Sequence, residues 1–487
     1  MQKLPLKLYS SDQVKEIERI VIQEQGILGI ELMRKAGHAV FTVLQQHFLS
    51  KDVIVFCGSG NNAGDGYVVA RLALQAGFSV NVMSVSRPEN LTGDAQLAYK
   101  DYVDAGGGLL GQIDLFPTEN CIIVDALLGT GLNRDVSGSY ADIIETINDS
   151  VCPVIAIDIP SGLNADTGNV MGYSVKADVT VCFIGLKQGL LTGFSAQYCG
   201  KIIFTSLDIG DDVFQQVQHA SQRVERPCFP KRHRCSHKGH NGHVLLVGGD
   251  VGYSGAIILA AEAALRAGAG LVSVATRKEH SSFINMNRPE IMCHGVDGSF
   301  ELMPLLAKAS VVVIGPGLGQ SQWAQDLLAT LLNANKPLIV DADALNLLAQ
   351  NPVHHDNWIL TPHPGEAARL LSCSTTDIAR DRFNAITKIQ QKYGGVVLLK
   401  GAGTLINDGN ELYVSTTGNP GMASGGMGDL LSGMIAALVA QYDNLIKATT
   451  AAVYVHGKAA DISAEQAGEI GMIASDLLPL IRQIINK

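Results

Sequence analysis

Asn419-Pro420-Gly421-Met422-Ala423-Ser424-Gly425-Gly426-Met427-Gly428-Asp429 runs directly into the apolar helical stretch Leu430 to Leu438. A glycine-dense loop that opens a helix leaves backbone N–H groups unpaired, and the helix dipole adds positive potential at the same point. Such a turn holds a phosphate. Asp429 lies in that turn, so a carboxylate can draw a proton from a substrate hydroxyl while the N–H groups stabilise a moving phosphoryl group.

The surrounding chain alternates apolar strands with helices. Val244 to Val247, Leu271 to Ala275, Val311 to Ile314, Leu338 to Val340, Trp358 to Leu360 and Val396 to Leu399 read as strands, and Gly255 to Ala267 as a helix. An earlier series has strands at Asp52 to Cys57, Val80 to Val85, Cys121 to Asp125, Val154 to Ile157, Val179 to Phe183 and Ile202 to Phe204. Strands that are apolar throughout and separated by helices imply parallel sheets covered on both faces. Two helical patterns precede the first strand. Ser11 is positioned to cap the first, and Leu32, Ala36, Val40 and Val43 line the second. The polar stretch from Asp211 to Arg226, followed by Pro227 and Pro230, marks a boundary near residue 220. The reading is therefore two domains, 1–220 and 221–487. The two halves share no motif, which describes a fusion rather than a duplication.

Composition narrows the function classes. The 487 residues are 47% hydrophobic and 17% charged, as expected of folded domains with large buried sheets. The net charge is −10, and the basic run Lys231-Arg232-His233-Arg234 is short, which argues against a nucleic-acid partner. The 9 cysteines are odd in number and form no Cys-x-x-Cys pair, consistent with reduced thiols and a cytoplasmic protein. The N-terminal residues lack an apolar signal core, and no segment is long enough to span a membrane. His237, His240 and His243 with Cys235 match no usual zinc spacing and read as a basic linker.

Three strand ends in the first half carry polar groups. Gly58-Ser59-Gly60-Asn61-Asn62-Ala63-Gly64-Asp65-Gly66 fits only a loose dinucleotide fingerprint, and Val85-Ser86-Arg87 lacks the acid that a ribose would need. Val124-Asp125-Ala126 and Ile157-Asp158-Ile159-Pro160-Ser161-Gly162 are the other two. Ligands of open α/β sheets sit at carboxyl strand ends, so the three are expected to meet in one crevice. Asn62, Asp125 and Ser161 offer oxygen ligands to a hard cation, leaving Asp158 as an acid or base. Lys187, beyond the Val179 to Phe183 strand, reads first as an exposed surface lysine, with reach into the site as the alternative.

These motifs resemble the NAD(P)HX epimerase domain across most of residues 1–215. The resemblance implies a Rossmann-like αβα sandwich in which Asn61, Asn62, Ala63, Gly64, Asp65, Gly129, Thr130, Gly131, Leu132, Asn133, Arg134, Asp135, Tyr140 and Asp158 contact a hydrated nicotinamide nucleotide. It also implies K+ on Asn62, Asp125 and Ser161. Relatives often have glycine where this chain has Ala63.

In the second half, Gly315-Pro316-Gly317-Leu318-Gly319, Asp341-Ala342-Asp343-Ala344, Thr361-Pro362-His363-Pro364-Gly365-Glu366 and Lys400-Gly401-Ala402-Gly403-Thr404 precede the glycine loop. No Gly-x-x-x-x-Gly-Lys-Ser/Thr stretch occurs, so this is not a P-loop. The ordered set resembles the ribokinase-like superfamily, and within it the ADP-dependent NAD(P)H-hydrate dehydratases. It implies an α/β domain of that fold. Substrate contacts would come from Ala256, Gly317, Leu318, Gly319, His363 and Asp429. The adenine nucleotide, with Mg2+, would lie on Lys400, Gly401, Ala402, Gly403, Thr404 and Gly428. The expected activities are epimerisation of NAD(P)HX and its ADP-consuming dehydration, in a homo-oligomer, with Asp429 and Asp158 as the catalytic acids or bases. Two rivals stand at this point. One is a ribokinase-like small-molecule kinase fused to a nucleotide-binding regulatory domain. The other is a non-catalytic nicotinamide-nucleotide binding protein.

Overall fold

The computed structural model describes residues 4–48, 52–110, 121–442 and 444–487. Its contacts divide the chain into two units, Met1–Gln222 and Arg223–Lys487.

In the first unit, six parallel strands lie side by side in the order Ser79–Ser84, Asp52–Cys57, Cys121–Ala126, Val154–Ile157, Val179–Phe183 and Lys201–Thr205. Side chains alternate between faces because the strand period is two. Val53 and Val55 enter a core with Val40, Leu44 and Tyr67 from the Gly29–His47 and Asn61–Gln75 helices. Ile54 and Phe56 enter the opposite core with Ile144 and Ile147 of the Ser139–Asp149 helix. The direction of winding reverses between the Asp52–Cys57 and Cys121–Ala126 strands, and their carboxyl ends open the crevice there. The first helix, Ser11–Gln23, is capped by Ser10 rather than Ser11. The Ser10 side chain accepts from the Gln13 N–H while Gln13 bonds back to the Ser10 N–H, a reciprocal pair that Ser11 cannot form from inside the helix.

The second unit's strands run in the order Leu412–Val414, Leu405–Asn407, Val396–Leu399, Trp358–Leu360, Leu338–Val340, Val311–Ile314, His243–Val247, Leu271–Thr276 and Ile291–Gly295. All adjacent pairs are parallel except the two involving Leu405–Asn407. Winding reverses between His243–Val247 and Val311–Ile314. The Met427–Val439 helix is buried on every side from Leu430 to Val439, as its uniformly apolar sequence requires. It packs so closely on the Ser254–Arg266 helix that a Cβ at Gly433 would lie 1.9 Å from the Ala260 carbonyl oxygen. Both helices begin at the carboxyl-end face, which carries the glycine loop. None of the helices among the described residues is long and apolar enough to cross a membrane, and all nine cysteines are free thiols.

Candidate active sites

The three strand ends of the first unit meet around Leu128. Asp125 is fully buried. Its carboxylate accepts from the Ser161 N–H at 2.8 Å, the Ser161 hydroxyl at 2.6 Å and the Leu127 N–H at 3.2 Å. The Ser161 Oγ accepts from the Leu128 N–H at 2.8 Å, and the Asn62 amide donates to the Leu128 carbonyl at 3.2 Å. Asn62, Asp125 and Ser161 thus form one oxygen-rich knot. Burial pushes the Asp125 carboxyl up to about 6 against these hydrogen bonds, and no cationic side chain pairs with it among the described residues. A weakly hydrated cation coordinated by neutral oxygens and one carboxylate fits that donor set.

Beside the knot is a cavity of about 660 Å3. Asn61, Asn62, Asp65, Asp158 and the Gly129 to Arg134 loop line it. Ala63 and Gly64 do not. Ala63 is buried beneath the loop, and a Cβ at Gly64 would lie 2.6 Å from the Met33 sulfur, so these two shape the turn through the backbone. Asp135 and Tyr140 follow the loop without lining the cavity, and Tyr140 packs against the core beneath the Ser139–Asp149 helix.

Lys187 corrects the sequence reading. Its side chain is 1% exposed, not on the surface. Its ammonium group pairs with Asp158 and donates to the Phe183 carbonyl at 2.9 Å. Burial works against the charge, but Asp158 overcomes it and holds the lysine above its ordinary range. Asp158 also accepts from the Phe183 N–H at 3.1 Å, and its backbone is in the left-handed region at φ 66°, a conformation that an L-residue adopts at a cost. Two further carboxyls line the same cavity. Glu18 is raised by burial and Asp65 well raised by burial and by the neighbouring Asp158 and Glu18 charges. The cavity therefore sets the Asp158–Lys187 ion pair beside two carboxyls that burial pushes upward. Glu18 escaped the sequence reading because it lies on the polar side of an amphipathic helix.

In the second unit, the Gly317–Gly319 loop and the Gly248–Tyr253 loop bond to each other. Gly249 N–H donates to Pro316 O at 3.0 Å, and Asp250 N–H to Gly317 O. Gly317 and Gly319 have φ of 59° and 68°, and a Cβ at Gly317 would lie 2.4 Å from the Tyr253 carbonyl. Leu318 between them is fully buried. Ala256 lies in the first turn of the adjoining Ser254–Arg266 helix. His363 caps the Pro364–Leu371 helix. Its Nδ1 accepts from the Gly365 N–H at 2.9 Å, while Glu366 accepts from the His363 N–H at 2.8 Å. Burial and the nearby Lys400 lower the pKa of the half-exposed ring.

Lys400 ties the strand ends together. Its ammonium lies 2.9 Å from Asp341 and 3.9 Å from Glu366. Asp341 also accepts from Ser432 Oγ at 2.7 Å. Burial alone would raise Asp341, but Lys400 and Ser432 hold it below the ordinary carboxylate range. A Cβ at Gly428 would lie 3.3 Å from the Lys400 nitrogen, so the ammonium hangs over the glycine loop. The backbone of Lys400 to Gly403 is gathered from below by Arg382, which is 5% exposed and points its guanidinium at the Leu399, Lys400 and Gly403 carbonyls at 3.3–3.4 Å. Burial lowers Arg382 to about 10. Thr404 Oγ1 closes the turn onto the Gly401 carbonyl at 3.0 Å.

Gly426 caps the Met427–Val439 helix in the left-handed conformation (φ 89°), and no side chain caps its first turn. Those N–H groups remain open, as an anion site requires. Asp429 is half-buried in this turn and forms no salt bridge among the described residues. Burial pushes its carboxyl up to about 7, aided by the Asp341 and Glu366 charges and opposed by Lys400. A carboxylate poised at neutrality is suited to take a proton and return it. Two buried polar atoms lack partners among the described residues, Ser424 Oγ in the glycine loop and His456 Nε2. Burial and Lys400 drive His456 down to about 4, so the ring is neutral. Asp341, Arg382, Glu366 and Ser432 were not singled out as site residues, since each acts through contacts between elements far apart in sequence.

Known proteins match both units. A family model for NAD(P)H-hydrate dehydratases matches residues 244–483, and one for the N-terminus of YjeF-related proteins matches residues 29–189. The bifunctional NAD(P)H-hydrate repair enzyme of Coxiella burnetii is 47% identical over 98% of this chain and 99% of its own. That of Escherichia coli is 43% identical over 99% of this chain and 95% of its own. Among solved structures, a hypothetical protein of Streptococcus mutans is 32% identical with a TM-score of 0.50, over 54% of this chain and 95% of that one.

Proposed function

The chain belongs to the family of bifunctional NAD(P)H-hydrate repair enzymes, and we propose that its two sites divide the family's two reactions as follows. It is an enzyme with an NAD(P)H-hydrate epimerase unit and a nucleotide-dependent NAD(P)H-hydrate dehydratase unit. Relatives matched from end to end carry both units, which disfavours the kinase and the non-catalytic readings.

In the dehydratase, Asp429 accepts the proton of the substrate's C6 hydroxyl. The hydroxyl oxygen attacks the terminal phosphorus of ADP, and AMP departs. The first-turn N–H groups of Met427 to Asp429 and the Lys400 ammonium balance charge on the transferred phosphoryl group. The phosphorylated oxygen then leaves C6 as inorganic phosphate, a far better leaving group than water, as the ring loses a proton and its double bond returns. The products are NAD(P)H, AMP and phosphate. Lys400 to Thr404 with Gly428 hold the nucleotide, while the Gly317–Gly319 backbone, Ala256 and His363 line the substrate side. Magnesium, when bound, neutralises the nucleotide phosphates.

In the epimerase, Asp158, paired with Lys187, handles a proton at or near C6, and Asp65, its carboxyl raised by burial, lines the same cavity. Asn61 and the Gly129 to Arg134 loop orient the rest of the nucleotide. Asn62, Asp125 and Ser161 would hold K+, which would fix the three strand-end loops. The observation that carries the reading is Asp429, half-buried without a salt bridge beside an uncapped helix start. Asp429→Ala in the full chain should abolish dehydration of hydrated NADH with ADP, followed by return of the reduced-nicotinamide absorbance, while interconversion of the epimers continues. Equal loss of both activities in a folded variant would refute the assignment.

A further inference from the structure

One strongly charged cavity of the second unit is remote from its glycine loop. It encloses about 1090 Å3 at the far ends of the Ser254–Arg266 and Met427–Val439 helices. Those helices start at the proposed dehydratase site. Leu438 of the second helix lines the cavity and stands nine positions past Asp429, so the cavity begins about 14 Å from Asp429 at 1.5 Å per residue. A ligand there cannot join the reaction.

Its lining is strongly cationic in a chain whose net charge is −10. Arg226, Lys231, Arg232, Arg266, Arg288 and Arg482 line it together with Lys487. Against these seven side chains stand only two carboxylates, Glu262 and Glu290. Glu262 is already engaged, 3.2 Å from Arg288. Arg232 donates to the Gly268 carbonyl. The side chains of Arg226, Lys231, Arg266 and Arg482 have no ion pair or hydrogen bond to another described residue. Cations in the last turn of a helix complement its dipole, which accounts for Arg266 and Arg482. It does not account for Arg226 and Lys231, which the segment after the first unit brings to the same cavity. Unpaired like charges around one hollow repel each other, and a multiply charged anion relieves that repulsion. Guanidinium forks suit phosphate oxygens in particular. Phe229, Tyr442 and Tyr454 form an aromatic part of the wall, able to pack against a flat ring. The volume is that of a pocket for a whole small molecule, not for a single ion.

We propose that this cavity is a second, non-catalytic binding site for an organic polyphosphate of the nucleotide class. The phosphates would lie among Arg226, Lys231, Arg266 and Arg482, and the ring against Tyr442 and Tyr454. The test is calorimetric titration of the full chain with inorganic tripolyphosphate and then with a nucleoside triphosphate. Two variants separate this cavity from the glycine loop. Arg266→Glu/Arg482→Glu should weaken tripolyphosphate binding at least tenfold and leave the dehydratase rate at saturating ADP within twofold. Lys400→Ala should leave a tripolyphosphate event of nearly full affinity. The nucleoside triphosphate should bind the Lys400→Ala protein more tightly than tripolyphosphate does. If the charge-reversed protein does not fold, Arg266→Gln/Arg482→Gln decides the same point, with about a fivefold loss expected. Affinity that follows Lys400 and ignores Arg266 and Arg482 overturns the proposal. Sedimentation showing that the charge reversal alters self-association, with no change in anion binding, overturns it too, because a second copy would then be the occupant. Equal affinity for the two probes overturns the nucleotide class.

Discussion

Replacing Lys187 with Met examines the buried couple of the first unit. The substitution preserves much of the side-chain volume and removes the ammonium group. Asp158 then keeps one donor, the Phe183 N–H at 3.1 Å, and the Phe183 carbonyl loses its 2.9 Å partner. Breaking a buried pair from one side costs about 3–5 kcal/mol. Asp158 can escape part of that by taking up a proton. Relative to an ordinary aspartate with a pKa of about 3.9, protonation at pH 7 costs about 4 kcal/mol and at pH 5 about 1.5 kcal/mol. The stranded carbonyl adds about 1 kcal/mol at either pH. The sign follows from the proton count. A carboxylate left buried without its cation favours the protonated form, so the folded variant is favoured at low pH and loses stability as pH rises. The first unit should therefore lose about 4–5 kcal/mol at pH 7 and roughly half of that at pH 5. Both tryptophans, Trp323 and Trp358, belong to the second unit, so their fluorescence is the internal control. Hydrogen exchange in the Asp52–Cys57 and Cys121–Ala126 strands reports the first unit. Epimerisation should fall by about 10²-fold or more, the scale of a lost general acid or base. Lys187→Met/Asp158→Leu should recover stability without recovering epimerisation. A single variant as stable as the parent at both pH values, with a normal epimerisation rate, would refute the reasoning.

Three further outcomes follow from the same geometry. Potassium should raise the melting temperature of the first unit at pH 7.5 and raise it much less at pH 5.5, because a proton occupies Asp125 below its value of about 6 and competes with the cation. Asp125→Asn should abolish the difference, and saturation at 100 times Kd would correspond to about 2.7 kcal/mol. Arg382→Met should raise KM for ADP by about tenfold or more, as expected on losing a charged hydrogen-bond hub of about 1.5–3 kcal/mol, while steady-state assays show KM for the hydrated substrate and the epimerase rate near the parent values. An unchanged KM for ADP would detach Arg382 from the nucleotide loop.

The sequence made the α/β architecture readable because parallel strands buried on both faces are apolar without interruption. Val154–Ile157, Val179–Phe183, Val311–Ile314, Leu338–Val340, Trp358–Leu360 and Val396–Leu399 occur with the expected bounds. Leu405–Asn407 and Leu412–Val414 form an antiparallel pair around the Asp408-Gly409-Asn410 turn, and their mixed polar and apolar residues lack the uninterrupted apolar run that marks the parallel strands. Glycine and aspartate motifs at strand ends were visible for a related reason. Backbone that must approach a ligand needs glycine, and glycine is conspicuous in a sequence. What stayed hidden were side chains whose meaning depends on a distant partner. Lys187 looks like any surface lysine until Asp158, 29 positions earlier, is folded against it. Arg382 and Ser432 are similar, since one gathers a loop 18 residues downstream and the other supports Asp341 from 91 residues away. His363 stands between Pro362 and Pro364 in the sequence, and the fold adds the helix cap that fixes its ring.

The most direct test of the dehydratase mechanism is the pH dependence of kcat/KM for the hydrated substrate at fixed ADP and magnesium, because that ratio reports ionisations of the free enzyme. Asp429 must be ionised to accept the hydroxyl proton, and its carboxyl is pushed up to about 7. The rate should therefore climb tenfold per pH unit below that point and level off above it, and Asp429→Asn should lack this limb along with nearly all of the activity. A profile that is flat from pH 5 to pH 8, or an Asp429→Asn protein that keeps the limb, would contradict the account.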